Sequence, residues 1–427
     1  MKRFTPALLA TLATAALIGA VSAQTPVTTI QYWNINTEAF GAPAVRDLIA
    51  KFESKNPGIK VEPRAQTGYT GLLQNAQTAI AAGSPPDVVQ IGYLYTNYVF
   101  ENLPYQDIKK LAASQKDSHL TGFAGNVLEL GQVGSNLVGM PYSLSNMIGY
   151  VNADLARKAG LDLARLPRTW AEWQRIAPMI KEKTGKYAIS MGYNDDNWSI
   201  EGLISSNGGS LLSCVGDTYK ATFDSPEAVQ ALELWSGMVK SGLWLNANYQ
   251  QGEQAFLAGE TLVHFTTIGS RNNYQKNAKF ELRGTPYPKF GAKPVRLPGG
   301  GNVLSIFSKD PAKLEASWKF LKFLTSPEGF TTWTKGTGYV PLQTALAYDK
   351  RYLKDFIAEN PIQQVGVNQL KNIIRWTSFP GANGLAAGQA LYKGVQSSLS
   401  NQSSAKAALE TAATEANRLI TGERCKK

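Results

Sequence analysis

The residues able to do chemistry are few. The chain has two His and two Cys, Cys214 and Cys425, too few ligands for a structural zinc, an iron–sulfur cluster or a His-rich centre, so no metal and no cofactor is expected. Neither the Gly-x-Ser-x-Gly motif of a nucleophile elbow nor a phosphate-binding P-loop occurs. Asp195 and Asp196 stand together in Asn194-Asp195-Asp196-Asn197. Adjacent side chains point apart, which suits the acid and base of a secreted glycosidase poorly and a sugar-binding or solvated loop better. What remains is hydrogen bonding and stacking. Trp198 follows that polar stretch and reads as a platform for a ring face, since an exposed loop Trp needs a reason; Tyr69, between Gly68 and Thr70, is a second candidate. Gly299-Gly300-Gly301 either forms a plain loop or lets backbone N–H groups approach a ligand. Trp170, Trp173, Trp235 and Trp318 sit at helical spacing and read as core. Trp33, at a strand end, is open between the two roles.

Such side chains need a folded frame, and the composition supplies one. The 427 residues are 43% hydrophobic and 18% charged, with 39 Gly and 21 Pro, the make-up of a folded chain of two or three domains. Lys and Arg number 43 against 32 Asp and Glu, but they are scattered, with no run that would track phosphates or lipid; nucleic acid and membrane surfaces are not expected partners. Lys2 and Arg3 precede an apolar run from Ala7 to Ala20 and small residues at Val21-Ser22-Ala23. This is the pattern of a Sec signal peptide, residues 1–23, cleaved after Ala23. No later stretch reaches the roughly 18 apolar residues of a membrane span, and no Cys lies near the cleavage site to carry a lipid. A periplasmic protein without a lipid anchor is expected. Export permits a disulfide, for which Cys214 and Cys425 are one candidate, two free thiols being the alternative.

The mature chain begins with a strand at Thr28 to Trp33, a helix whose Val45, Leu48, Ile49 and Phe52 share a face, and a strand at Ile59 to Pro63. A helix with Leu72, Leu73, Ala76, Ala79 and Ile80 follows, then the apolar run Asp87 to Ile91, read as a buried parallel strand. The order βαβαβ predicts an open α/β sheet with ligands at the carboxyl ends of its strands. Strands are expected at Val138 to Tyr142 and Ile148 to Asn152, then a helix from Asp154 to Ala159. Thr169 with Glu172 three residues on predicts a capping box that opens the next helix, where a second α/β lobe begins. Late helices are expected at Leu314 to Leu324, Gly388 to Ser400 and Ala405 to Leu419.

In this order the segments resemble a known family. FESKNP from Phe52, PPDVVQI from Pro85, Gly139-Met140-Pro141-Tyr142, Tyr150-Val151-Asn152 with Ala159-Gly160-Leu161-Asp162, and Pro167 to Trp173 are joined by Phe256 to Glu260, Gly299 to Gly301, FLKFLTSP from Phe320, Gly338-Tyr339-Val340-Pro341 and Ala405 to Ala413. The chain resembles the extracellular solute-binding proteins of ABC importers (family 1), the group of the maltose-binding and glycerol-3-phosphate-binding proteins. The resemblance implies an α/β, two-lobed periplasmic clamp fold with discontinuous lobes and a hinge of crossing strands, 24–145 with 300–343 forming the N-terminal lobe and 146–299 with 344–427 the C-terminal lobe. It implies crossings near Leu144 to Tyr150, Pro298 to Ile306 and Pro341 to Ala347. It also implies a binder rather than an enzyme: a monomer that takes a small-molecule carbohydrate and delivers it to ABC permease subunits in the inner membrane.

A cleft that holds a sugar needs hydrogen-bonding groups from both lobes and aromatic faces. The loops that the implied fold brings to it offer Asn36, Thr37 and Glu38, then Tyr69, then Tyr93. Ser143, Ser145 and Asn146 lie at the first crossing, and Asp196, Trp198, Ser270 and Arg271 come from the second lobe. Gly300, Gly301, Asn302 and Tyr339 line the return, with Phe379 and Asn383 in a late Gly-rich turn. By the resemblance, a glycerol-phosphate binder places an Arg in that turn. Asn383 stands there, which favours a neutral sugar, oligosaccharide or polyol. Arg271 or Arg375 could substitute, so sn-glycerol-3-phosphate or a glycerophosphodiester is the alternative solute.

Overall fold

The computed structural model describes Met1 and residues 27–425 apart from Thr67 and Ala124; the signal peptide and its cleavage after Ala23 lie outside the described residues. The first helix, Ala42–Lys55, shows why local pattern becomes architecture. Pro43 fits its first turn, and Ala44, Val45, Leu48, Ile49 and Phe52 form one buried stripe. That stripe covers a sheet in which Ile59–Ala65, Thr28–Asn34 and Val88–Gly92 run parallel. The chain then adds Met140–Ser145 at the far edge, and Gly300–Ile306, arriving from much later in sequence, inserts antiparallel between it and Val88–Gly92. Helix Pro311–Leu324 brings Phe320 against Tyr32 and Phe52, ring centroids 5.3 and 5.0 Å away.

Asn146 separates Met140–Ser145 from Met147–Asn152, and between them the chain passes into a second sheet. Its strand order is Trp244–Leu245, Tyr187–Ser190, Thr261–Thr267, Met147–Asn152 and Leu282–Thr285. The chain is thus a two-lobed α/β protein whose lobes are joined by crossing segments, with a further bridge from Val340 to Leu144. The expected capping box is present: the Thr169 hydroxyl accepts from the Glu172 N–H, and Glu172 accepts from the Thr169 N–H. It starts helix Trp170–Thr184, and Trp170 stacks on Trp244 at 5.3 Å and meets Phe265 edge-on at 5.2 Å. Trp170, Trp173, Trp235 and Trp318 are all buried, as their spacing predicts, and Trp33 is buried too.

Gly301 is a position where only glycine serves. Its φ is +121°, and a side-chain carbon there would fall 2.0 Å from the Ser143 carbonyl oxygen. The Gly299 to Gly301 run is therefore a tight strand crossing, which corrects the picture of a loop lending N–H groups to a ligand.

Cys214 and Cys425 are bonded, which settles the question of two free thiols. The bond ties the chain's end to the hairpin Leu212–Val215 and Thr218–Ala221, where Tyr219 N–H donates to the Glu423 carbonyl. Among the described residues no helix is long and apolar enough to cross a membrane.

Candidate functional site

Between the lobes lies a cleft of ≈ 560 Å³. One wall is built by the start of helix Tyr69–Ala81 and by Leu94, Tyr95 and Tyr98, on the short turns that follow strand Val88–Gly92. The opposite wall is the loop from Asn194 to Asn197, with Glu201 on the helix it opens. Thr377, Phe379 and the first turns of helix Gly384–Leu399 close the third side. The walls stand at strand carboxyl ends, where an open α/β sheet leaves its ligand crevice. Two hydrogen bonds span the mouth: the Asn97 amide donates to the Ser378 carbonyl at 3.3 Å, and the Gly381 N–H donates to the Glu101 carboxylate at 3.0 Å.

Tyr69 belongs to the site, and the reason is local. Gly92 has no side chain, and a carbon there would come 2.9 Å from the Tyr69 ring, so the ring lies over the strand end. Its hydroxyl accepts from the Asn302 amide at 3.0 Å and is hydrogen-bonded to Tyr339. Beneath it the Tyr93 hydroxyl and Asn302 Oδ1 are buried without partners. Tyr339 is buried and stacked on Trp333, 5.5 Å between centroids. Burial raises the hydroxyl pKa of Tyr95 first, with the negative charges of Asp195 and Asp196 raising it further, so the two acidic residues are felt across the cleft.

The carboxyl groups of the cleft have hydrogen bonds but no cation. Asp196 Oδ1 accepts from the Trp198 N–H at 3.1 Å and the Tyr249 hydroxyl at 2.9 Å, and burial lifts its pKa to about 6. Asp195 accepts from the Gln389 amide at 3.1 Å. Glu201 is held by the Thr377 N–H and hydroxyl, and burial pushes its carboxyl up to about 8. Among the described residues lining the cleft there is no Lys, Arg or His.

Several expected site residues lie elsewhere. Trp198 is not an exposed platform: it begins helix Trp198–Ser206, is 5% exposed, and donates its indole N–H to the Pro298 carbonyl at 2.8 Å. The polar sequence before it hid the fact that the ring turns inward over Gly300, where a side-chain carbon would lie 2.9 Å from it. Asn36 is buried with its amide spent on Gln90 and the Phe40 carbonyl. The Thr37 carbonyl accepts from the Phe40 and Ala42 N–H groups to form the turn before the first helix. Glu38 is exposed and paired with Arg46. Ser143 and Ser145 are buried in the sheet edge, Ser143 accepting from the Trp333 indole at 3.2 Å. Ser270 is buried beside Tyr274, and Gly300 and Gly301 are buried within their strand. Asn383 is exposed and is not on the cleft lining.

The substitute cations are also placed away from the cleft. Arg271 is buried, its guanidinium donating to Gln275 and to the Thr334 and Lys335 carbonyls. Arg375 lines a separate groove with Leu144 and Leu342 and donates to the Gln132 carbonyl. Of the expected residues, Tyr69, Asp196 and Phe379 line the cleft, with Tyr339 and Tyr93 beneath it. Sequence reading missed Gln74, Tyr95, Tyr98, Glu201 and Gln389. The first three stand one helical turn or one short loop beyond residues already chosen, a spacing that could have found them; the last two sit inside helical patterns that give no such sign.

The comparisons with known proteins agree with this architecture. The family model for the bacterial extracellular solute-binding protein matches residues 47–361. The sn-glycerol-3-phosphate-binding periplasmic protein UgpB of Escherichia coli (strain K12) is 26% identical over 363 residues, covering 81% of each chain. Among solved structures, UgpB from Mycobacterium tuberculosis in complex with glycerophosphocholine superposes with a TM-score of 0.81 at 21% identity, over 92% of this chain and 98% of that one. Maltose-bound MalE3 of T. maritima gives 0.81 at 21% identity, over 92% and 100%. With the family model spanning most of the chain and the two-lobed fold in place, the chain belongs to the bacterial extracellular solute-binding proteins, the solute-capturing components of ABC importers.

Proposed function

We propose that this protein is a monomeric periplasmic receptor that captures a neutral carbohydrate (a sugar, oligosaccharide or polyol) in the cleft and delivers it to its membrane permease. The lobes would divide as 24–145 with 300–343, and 146–299 with 344–427, closing on the solute like a clamp. The observation that carries this reading is the cleft's charge: Asp195 and Asp196 stand in it, Glu201 keeps its proton beside them, and no described lining residue is a cation. A buried phosphate without a cation is costly, and one facing carboxylates more so. Sugar hydroxyls both donate to carboxylates and accept from amides, and Tyr69, Tyr95, Tyr98 and Phe379 offer faces for a ring.

A glycerophosphodiester or glycerol phosphate is the second reading. It draws support from the 26% identity to a glycerol-3-phosphate binder and from the glycerophosphocholine complex among the structural neighbours. Calorimetric titration of a sugar panel beside glycerol phosphate and glycerophosphocholine, at low and high salt, separates the two. Saturable, salt-indifferent binding of a sugar, with a smaller radius of gyration in scattering, is expected. Tight binding of a phosphate ester that weakens as salt screens it would overturn the first reading. Turnover of a chromogenic glycoside by the purified protein would overturn the binder reading altogether.

A further inference from the structure

We propose that the wall from Asp195 to Asn197 is an ammonium subsite, so that among carbohydrates this protein prefers one carrying a free amine. The inference rests on the reading of the cleft as a carbohydrate site and departs from the neutral, salt-indifferent solute in one respect: a free amine adds a charge, so its advantage should shrink as salt rises.

The chain as a whole is basic, with a formal charge of +11, yet its cleft is lined by carboxylates alone among charged groups of the described residues. Asp196 takes two hydrogen bonds from neutral donors, the Trp198 N–H and the Tyr249 hydroxyl, and Asp195 one from the Gln389 amide. Among the described residues, no Lys or Arg forms an ion pair with either residue. Two adjacent acidic side chains held this way repel one another, and a cation between them and the opposite wall relieves that repulsion.

A second observation is independent of the acidic pair. Asn197, also on the lining, is 5% exposed, and its amide is oriented by donating to the Gly388 carbonyl at 2.9 Å. Its Oδ1 is left buried with no donor. Asn197 holds the left-handed backbone, φ 58°, that an L-residue adopts at a cost. The wall therefore accumulates acceptors, two carboxylates and an orphan amide oxygen, and is short of donors. A hydroxyl brings one donor; an ammonium brings up to three and a charge. Opposite stand Tyr95 and Tyr98, whose ring faces favour a cation.

The test compares sugars alike in shape and different in charge: chitosan disaccharide, N,N′-diacetylchitobiose and cellobiose, with glucosamine, N-acetylglucosamine and glucose as the monosaccharide set. Titration calorimetry of the mature protein at pH 6.5, where the sugar amine is protonated, is expected to give the free-amine member of a set about tenfold tighter binding than its neutral counterparts, the worth of one charge-assisted hydrogen bond. In Asp196→Asn and, separately, Asp195→Asn, that ratio should fall toward one, with melting curves confirming that each variant is folded. If neutral members bind and the amine gives no advantage, the subsite is refuted while the carbohydrate reading stands. A preference that survives both substitutions refutes it as well. If no member of either set binds, the subsite is refuted as a selector of amino sugars, and the carbohydrate reading is decided by the wider sugar panel.

Discussion

Trp198→Ala distinguishes a ring that faces solute from one that holds the cleft wall in place. The indole is 5% exposed, donates to the Pro298 carbonyl, and lies against Gly300 with Trp376 at 6.2 Å. Truncating a buried Trp costs about 3–5 kcal/mol through lost burial and the cavity left behind, within which the orphaned carbonyl accounts for about 1–3 kcal/mol. In a cooperative unit of about 200 residues each kcal/mol moves the melting temperature by roughly 2–4 °C. A loss of about 4 kcal/mol should therefore lower it by roughly 8–16 °C. Trp198→Phe keeps most of the ring and removes the N–H, so a smaller drop is expected, near the cost of the unpaired carbonyl. Thermal melting of both variants, with calorimetric titration well below their midpoints, reads the two effects separately. A Trp198→Ala protein that melts within about 2 °C of the parent and has lost its affinity would refute the packing account and return Trp198 to the solute.

Removing the Cys214–Cys425 bond frees a span of 211 residues, worth about 5 kcal/mol in the chain-entropy model; a double Cys→Ser variant should melt well below the oxidised parent, and equal melting would contradict that estimate. Burial raises the Glu201 carboxyl to about 8 from 4.5, so the folded state holds a proton that the unfolded chain releases. The stabilisation is full below pH 4.5 and is lost as pH rises through 8. Glu201→Gln should flatten that decline in denaturant titrations of the solute-free protein; an unchanged slope would locate the proton elsewhere. Glu101 accepts the Gly381 N–H across the mouth, and Glu101→Ala should weaken solute affinity about two- to tenfold, the worth of one exposed bond, with equal affinity showing that this contact does not favour closure.

The lobes were legible because their signals are local. The stripe in Ala42–Lys55, the Thr169–Glu172 capping box and the apolar run at Val88–Gly92 each fix their element from neighbouring residues alone. The cleft was legible only in part, because side-chain direction there is decided by distant chain. Trp198 sits in as polar a setting as any in the sequence, yet Pro298, 100 residues on, supplies the carbonyl that turns it inward. Asn36 was chosen as a free amide and is consumed by Gln90, 54 residues away. Glu201 carries no sign of its role in a helix whose other residues are apolar or small. Both Cys were visible, but their pairing depended on the C-terminal segment returning to the Leu212–Val215 hairpin, which no local pattern announces.

Helix starts bear on the cleft as well. Away from the cleft, Thr169, Ser225, Asp310 and Ser404 cap their own helices with side-chain oxygens, each worth about 1 kcal/mol, while Ala42–Lys55, Arg271–Asn277 and Pro361–Asn368 start without such a bond. The three helices that open on the cleft, Tyr69–Ala81, Trp198–Ser206 and Gly384–Leu399, have no such bond from their N-cap residues Gly68, Asn197 and Asn383. Asp196 satisfies one N–H of the second helix from the residue before its cap. The first turns of the other two bring N–H groups to two sides of the cleft, while Asp195 and Asp196 offer acceptors. A phosphate accepts hydrogen bonds and would leave the carboxylates facing like charge. A hydroxyl accepts from the helix N–H groups and donates to the carboxylates, so a polyhydroxylated solute answers both sets at once. Under the proposed function, stability given up at these helix starts would be returned in the occupied cleft, and solute binding would be coupled to closure of the lobes.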